Sequence, residues 1–442
     1  MAPLAEAGPL QVNHLYRGEV WAAPRAGAAA ACARYEGDAF GPILDRARYP
    51  WHPGVRKVGR QDVLYGTAYA QRVIWEHQHP ADCTGARFLT MLHWPVGMGA
   101  LIHFLGRALG LAMQLGRVLV LSAEDYNPKR GEPGMPWYDG NFCPGKTSWE
   151  CWFQPLSGCL EMAGSDTLVV QPEELGRFRA GNFTRHYVPE VFQQMLRMCS
   201  HVKPQLHFHW WHAQATTYIV RFNEETRRRL EALRGELLRV RRAGSRRLAG
   251  LRSLPRGAVA VHVRHGDKAV EMPLLPFARY LEQAQRLAAG DQSVRVLGPG
   301  FAESGRAFAF PREAFAGRVL FVSTEDPRVV AEASRLAAGG GGEAPWSVAF
   351  SRENRTNADV AAMRQQRGNG RATLESLLNL EVALEADAWV CTLLSNWCQL
   401  IDELRMTAGG KASAPFVDLG GQGRRRGEGC PAFDRGCYVS WR

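Results

Sequence analysis

The chain is poor in lysine. Of its 54 basic residues only six are Lys, at positions 57, 129, 146, 203, 268 and 411. An ammonium group that falls inside a cluster of reactive side chains is therefore informative. No C-x-x-C pair occurs among the ten cysteines, which removes the usual structural zinc spacings. D-x-D and H-E-x-x-H are both missing. A divalent cation bridging a nucleotide diphosphate then has no evident ligands, and the expectation is no metal and no cofactor. No Walker loop is present, which excludes a P-loop ATPase or kinase. The most apolar long stretch, 97–121, carries His103, Arg107, Gln114 and Arg117, which argues against a membrane-spanning helix. No positively charged start and apolar signal core follow Met1. Membrane association is expected only through an N-terminal anchor not visible here.

What is present is the composition of a globular protein. The chain has 442 residues, with 46% hydrophobic and 22% charged, long enough for about two or three domains. A net charge of +11 favours anionic ligands. Nucleic acid is not expected as the partner. The densest basic run, Arg227 to Arg242, is interleaved with Leu230, Leu233, Leu237 and Val240 at helical spacing and reads as a solvated helix face. Cys143, Cys151 and Cys159 fall in a loop-like segment, and Cys430 and Cys437 lie close together. Both groups suit disulfides, with pairing open. Asn182-Phe-Thr184 and Asn354-Arg-Thr356 are glycosylation sequons.

Three regions are expected. Residues 1–65, rich in Pro, Gly, Ala and Arg, read as a poorly ordered arm. Residues 66–250 read as an α/β and helical domain: a strand over 87–93, the loop Gly97-Met-Gly99, a helix over 100–115 and a strand over 117–121. An irregular excursion with Trp137, Trp149 and Trp152 follows, and helices then dominate to about Leu251. Residues 251–442 alternate strand and helix as a Rossmann-like domain. Strands are expected over 258–263, 318–323 and 388–391, with helices over 276–287, 327–337, 373–385 and 395–406. The fold class is α/β, with two open α/β domains facing across a cleft.

The stretch His262-Val-Arg-His-Gly-Asp-Lys268 closes the first strand of that third region. His262 and Arg264 share one face by the period of two. A guanidinium and an ammonium at the C-terminal edge of a central strand suit a phosphate-bearing ligand. His265 and Asp267 lie in the same turn, and Glu271 supplies a nearby carboxylate able to accept a proton. The competing reading is a surface loop with an Arg264–Asp267 ion pair. Gly97 and Gly99 admit either close approach to a pyrophosphate or a turn needing positive φ. In Thr324-Glu-Asp-Pro327 the residue types favour a helix cap, with a nucleotide contact for Asp326 as the alternative. Ser395, followed by Asn396, suits both a cap and an anion site. Asp402 and Glu403 read as solvated charges, and Trp210-Trp211 with Gln214 as a core anchor.

These motifs together resemble the α1,6-fucosyltransferases, a family related to the α1,2- and protein O-fucosyltransferases. The likeness rests on His262–Lys268, Trp210-Trp-His-Ala-Gln214, Thr324-Glu-Asp-Pro327 and the run from Ala386 to Cys398, in the family's order, with the Gly97–Gly99 loop. It covers roughly 87–406. The resemblance implies a GT-B-like fold and inverting, metal-independent transfer of fucose from GDP-fucose to a glycan, of α1,6 type on an N-glycan or related oligosaccharide. It implies a Golgi or other secretory lumen. Carried over, Arg264 holds the β-phosphate, His262 seats the nucleotide, Ser395 donates to phosphate, Glu271 is the base and Lys268 supports it or the leaving group. The donor set is completed by His265, Asp267, Asn379, Asn396, Gly97, Gly99 and Asp326. A homodimer is allowed.

Three departures stand out. His265 replaces the second of the family's paired arginines, Glu271 is one residue closer to the Lys than in the animal enzymes, and Asn379 stands where the family has a guanine-reading Asp. An amide cannot match the two acceptors of a carboxylate. A non-catalytic nucleotide- or glycan-binding relative is the alternative these departures motivate.

Overall fold

A computed structural model describes residues 29–35, 63–92, 96–121, 139, 141–144, 149–159, 166–175, 188–200, 202, 204–270, 274–291, 293–294, 296, 315, 318–339, 345–353, 355, 370–412 and 414–419. Helix α1 (Thr67–Gln78) leads to strand β1 (Phe88–Met91), helix α2 (Met98–Leu115) and strand β2 (Val118–Val120). Strand β3 (Thr167–Val170) completes a small parallel sheet of order β2-β1-β3. Three helices follow, α3 (Glu190–Met198), α4 (His207–Ile219) and α5 (Glu224–Leu237). Asn223 caps α5 by accepting from the Thr226 N–H, and Glu224 and Glu225 occupy its first turn, where a helix dipole favours anions.

The chain then switches to strands β4 (Leu238–Arg241) and β5 (Leu248–Gly250). This corrects the expectation of helix to about residue 251. Leu238 and Val240 are buried while Arg239 and Arg241 are half-buried, so the period changes from 3.6 to two after Leu237. Strand β6 (Val259–Val263), helix α6 (Phe277–Ala288), strand β7 (Val319–Thr324) and helix α7 (Pro327–Gly339) alternate as expected, and strand β8 (Ser347–Ser351), which no expectation covered, follows them. Helix α8 (Gly370–Glu385), strand β9 (Ala388–Cys391) and helix α9 (Asn396–Arg405) also fall as expected, and strand β10 (Phe416–Asp418), which no expectation covered, ends the series. The second sheet has seven strands in the order β10-β9-β6-β7-β8-β4-β5. Its first five run parallel, and β4 and β5 add an antiparallel edge. The architecture is GT-B-like in that it pairs two open α/β units. Residues 238–250 join the second sheet, so that sheet draws on chain before residue 251.

The chain leaves β6 for β7 on one side and returns from β8 to β9 on the other. Between β6 and β9 the winding reverses. In an open α/β sheet a ligand crevice opens there, beyond the carboxyl ends of the strands.

The halves share one core. A continuous apolar cluster runs from Leu89, Leu101 and Leu105 through Trp210 and Trp211 to Leu378, Trp389 and Leu404. A second cluster covers the other face of the large sheet, with Val259, Val261, Tyr280 and Val322. Helix α4 is buried along nearly its whole length, and both indoles anchor it as expected. Trp210 donates to the Tyr65 carbonyl at 2.9 Å, Trp211 to the Gly106 carbonyl at 3.2 Å, and Gln214 to Thr67 at 3.0 Å. Arg234 on α5 reaches Glu381 and Glu385 on α8 at 2.6 and 2.5 Å, all three buried. The Lys411 ammonium donates to the carbonyls of Leu384, Glu385 and Ala386 at the C-terminus of α8, where a cation is favoured. Helix α2 is long and apolar enough to cross a membrane, but 72% of it is buried inside the protein.

Four disulfides link described cysteines: Cys32–Cys199, Cys83–Cys159, Cys143–Cys151 and Cys391–Cys398. Cys430, Cys437, Trp137, the sequon at 182–184 and the sequon residues Asn354 and Thr356 lie outside the described residues. Residues 29–35, inside the expected disordered arm, form a short helical segment that Cys32 ties to the end of α3.

Candidate functional site

The reversal between β6 and β9 gathers most of the residues that the sequence singled out. His262 ends β6 in register with Ser323 of β7, and its Nδ1 lies 3.1 Å from the Ser323 hydroxyl. Its Nε2 is buried without a hydrogen-bond partner among the described residues. Burial, assisted by the positive Arg264, pushes this imidazole down to about 3. The ring is neutral, with one nitrogen unused at the rim of the sheet.

Arg264 is half-buried and donates to Glu325 at 2.6 Å and to the His265 carbonyl at 3.0 Å. Glu325 also accepts the His265 N–H, so it fixes both the guanidinium and the turn beneath it. Gly266 takes φ +59°, a conformation that favours glycine, and opens a 3-10 turn over Gly266–Val270. Lys268 is buried on that turn. Glu271 and the side chain of Asp267 lie outside the described residues.

His265 is committed within the protein. Its Nδ1 faces Asp326 at 3.0 Å and its Nε2 the Leu275 carbonyl at 2.9 Å. Asp326 is buried, and its Oδ1 accepts from the Arg328 backbone N–H at the start of α7. Burial raises this carboxyl, but hydrogen bonds from Arg328 and His265 outweigh it and lower the group to about 2. The cap reading of Asp326 holds in the structure.

From β9, Thr392 and Ser395 lie buried in the turn before α9. The Thr392 hydroxyl has no hydrogen-bond partner among the described residues. Ser395 occupies the N-cap position in an extended conformation, but its hydroxyl makes no capping bond. The Cys391–Cys398 disulfide brackets this turn.

The opposite wall comes from the first half of the chain. Gly97 caps α2 with φ −59°, so positive φ is not what it is for. A side chain at Gly97 would meet open space, whereas a Cβ at Gly99 would lie 3.0 Å from Asn396 Cβ and 3.2 Å from the Asn396 carbonyl carbon. Close approach explains Gly99. The N-termini of α2 and α9 abut there, and each presents backbone N–H groups without intrahelical acceptors. Two positive helix ends at one point make an anion site.

Asn379 sits on α8 behind β8 rather than at this junction. Its amide oxygen accepts from the Ser351 hydroxyl at 2.8 Å, and its amide nitrogen donates to Glu353 and to the Glu375 carbonyl. Glu353 also pairs with Arg355 at 3.0 Å. Burial raises the Glu353 carboxyl to about 7 despite the attraction of Arg355.

Several polar residues here were not singled out from sequence. Glu325 lay in a quoted motif, next to the residue chosen. Glu353 and Arg355 had no signal besides position after a strand. Asp402 and Glu403 correct the expectation of solvated charges, for both are buried. Asp402 pairs with Arg405 at 2.8 Å, and Glu403 accepts from Thr216 at 2.6 Å and lies 3.2 Å from His103 Nε2. His103, His212 and Glu403 bring ligand-type atoms within 4.8 Å of one another. They come from three helices, and the two H-x-H pairs, His77/His79 and His207/His209, contribute nothing to this group.

No family model matches the chain, and no curated protein matches it. Among solved structures it is similar to a NodZ α1,6-fucosyltransferase soaked with GDP-fucose, at 13% identity and a TM-score of 0.33, over 72% of this chain and 92% of that one. The same enzyme co-crystallised with GDP gives 13% and 0.32, over 71% and 91%. The selenomethionine form of fucosyltransferase NodZ from Bradyrhizobium gives 12% and 0.32, over 71% and 91%. Likeness at that level assigns neither family nor activity to this chain.

Proposed function

We propose that this chain is an inverting, metal-independent glycosyltransferase that moves fucose from GDP-fucose to a glycan acceptor, with an N-glycan or related oligosaccharide as the class of acceptor. The observation that carries the reading is the convergence at the β6–β9 reversal. There β6 carries His262 and runs into Arg264, and the neighbouring β9 runs into α9, whose N-terminus abuts that of α2 at Gly99, at the edge where open α/β sheets hold nucleotides.

In this reading the leaving diphosphate is neutralised by Arg264, by Lys268 and by the two helix ends, acting as preorganised positive charge. Glu325 orients Arg264 before the donor arrives. Neutral His262 offers Nε2 to the nucleotide as donor or acceptor without adding charge. Glu271 accepts the proton of the acceptor hydroxyl as that oxygen attacks the fucose anomeric carbon, and the bond to the β-phosphate oxygen breaks on the opposite face. Four disulfides suit a secretory lumen, in agreement with the Golgi expectation.

Titration calorimetry with GDP and GDP-fucose, followed by transfer to a glycan array, tests the proposal. Arg264→Ala is expected to abolish turnover, and Glu271→Gln to retain GDP binding while losing transfer. Full activity of Glu271→Gln would overturn the base assignment, and absence of GDP binding below millimolar would overturn the donor. The engagement of Asn379 by Ser351 and Glu353 favours one alternative, a binding protein without transferase activity. That alternative predicts GDP binding with no product from any acceptor.

A further inference from the structure

Glycine 99 and asparagine 396 are the contact point of two helices from opposite halves of the chain, and one buried side chain ties that contact down. His103 lies one turn beyond Gly99 on α2, on the same face. Its Nδ1 meets the Asn396 amide oxygen at 3.0 Å, and its Nε2 meets Glu403 on α9 at 3.2 Å. Glu403 is two turns beyond Asn396 and is held in turn by the Thr216 hydroxyl of α4 at 2.6 Å. His103, Thr216 and Glu403 are all almost fully buried. Asn396 is therefore clamped on one side by the Gly99 backbone and on the other by the His103 ring.

We infer that His103, backed by Glu403, is a positioning residue that sets the distance and angle between the N-termini of α2 and α9, and so shapes the anion site between them. The inference rests on the reading that this junction receives a diphosphate. Two buried groups at the carboxyl ends of β9 and β6 that lack hydrogen-bond partners among the described residues, the Thr392 hydroxyl and His262 Nε2, mark it independently as a place where a polar ligand is expected. His103 itself does not touch that ligand. It acts through Asn396, and a displacement of the order of 1 Å at a preorganised site is enough to cost about a hundred-fold in rate.

His103, His212 and Glu403 also have the donor types of a cation site. The three groups also make short contacts with one another and with Thr216. Glu403 has an imidazole on each oxygen, His103 at 3.2 Å and His212 at 3.8 Å, and a hydroxyl donor besides.

The test uses the intact, oxidised protein and its variants His103→Ala, His103→Gln and Gly99→Ala, with guanosine, GDP and inorganic pyrophosphate as probes. For His103→Ala, binding of pyrophosphate and GDP is expected to weaken at least ten-fold while guanosine affinity stays unchanged, and kcat is expected to fall more than KM rises. His103→Gln, which keeps a donor for Asn396, is expected to recover part of the loss. Gly99→Ala is expected to weaken the same two probes, with an effect that is not additive with His103→Ala. A variant that only loosens the core would lower the melting temperature and leave the ratio of GDP to guanosine affinity unchanged; that result overturns the inference. Equimolar zinc in the purified protein, with chelation reproducing the His103→Ala profile, overturns it in favour of a metal site. Pyrophosphate binding by the native protein without GDP binding would refute the proposed donor and leave the positioning role standing.

Discussion

At the scale of single residues, burial decides which charges are available at the site. His262 is held neutral, so donor affinity is expected to show no step near the ordinary histidine range. A pH series of GDP binding from 5 to 8 on the native protein and on His262→Gln checks this, the two curves having the same shape. Glu353 is displaced the other way, from 4.5 to about 7, with burial as the larger cause. A carboxyl raised on folding favours the folded state while it is protonated. Its contribution is complete below about pH 4.5 and is lost as the pH climbs to about 7. Glu353→Gln is expected to flatten that decline, which urea unfolding at half-unit pH intervals would show. Little of this could be read from the letters. Arg264 and Lys268 advertised themselves because phosphate chemistry needs cations at a strand end. Glu353, His103 and Glu403 owe their character to neighbours 26 to 300 residues away.

At the scale of elements, periodicity carried most of the information. Strands β6, β7 and β9 and helices α6 to α9 were legible because apolar runs and turn residues agree there, and β9 falls on the expected 388–391, whereas β8 at 347–351 was not read. Where two periods met inside one basic run, at Leu237, the helical pattern was extended too far. The reason is local: an Arg on the solvent side of a strand looks like an Arg on the solvent side of a helix. The helix pair α5 and α8 shows what such a reading misses. Arg234 looks like its exposed neighbour Arg228, but it alone turns inward to two buried carboxylates. Replacing Arg234 with Met would strand both charges and is expected to cost about 3–5 kcal/mol. Arg228→Met on the same helix, which loses only a surface pair, should stay within about 1 kcal/mol. Urea midpoints of the two variants with the disulfides intact would check the contrast.

At the scale of the whole molecule, two α/β units were expected to face each other, and their apolar residues turn out to form one interior. Helix α4 is the reason. Its polar residues, Thr216, Thr217 and Gln214, are paired internally, so it can lie buried where both halves meet. The halves are therefore expected to unfold together. Calorimetry should show a single transition, and GDP should raise its midpoint as binding to the folded state alone requires. Two separated transitions would mean that the shared interior does not couple them. The order of motifs along the chain pointed to this assembly, but the shared helix could not be inferred from order alone.

The bond between Cys391 and Cys398 closes a short loop that carries Ser395 and Asn396, where the phosphates of the proposed donor would lie. Thermodynamic reciprocity then applies. If holding this loop shut helps it grip an anion, the anion must in return stabilise the bond, and a thiol redox buffer should reduce a smaller fraction of it at equilibrium as nucleotide is added. Electron supply and donor occupancy would be two handles on the same few atoms.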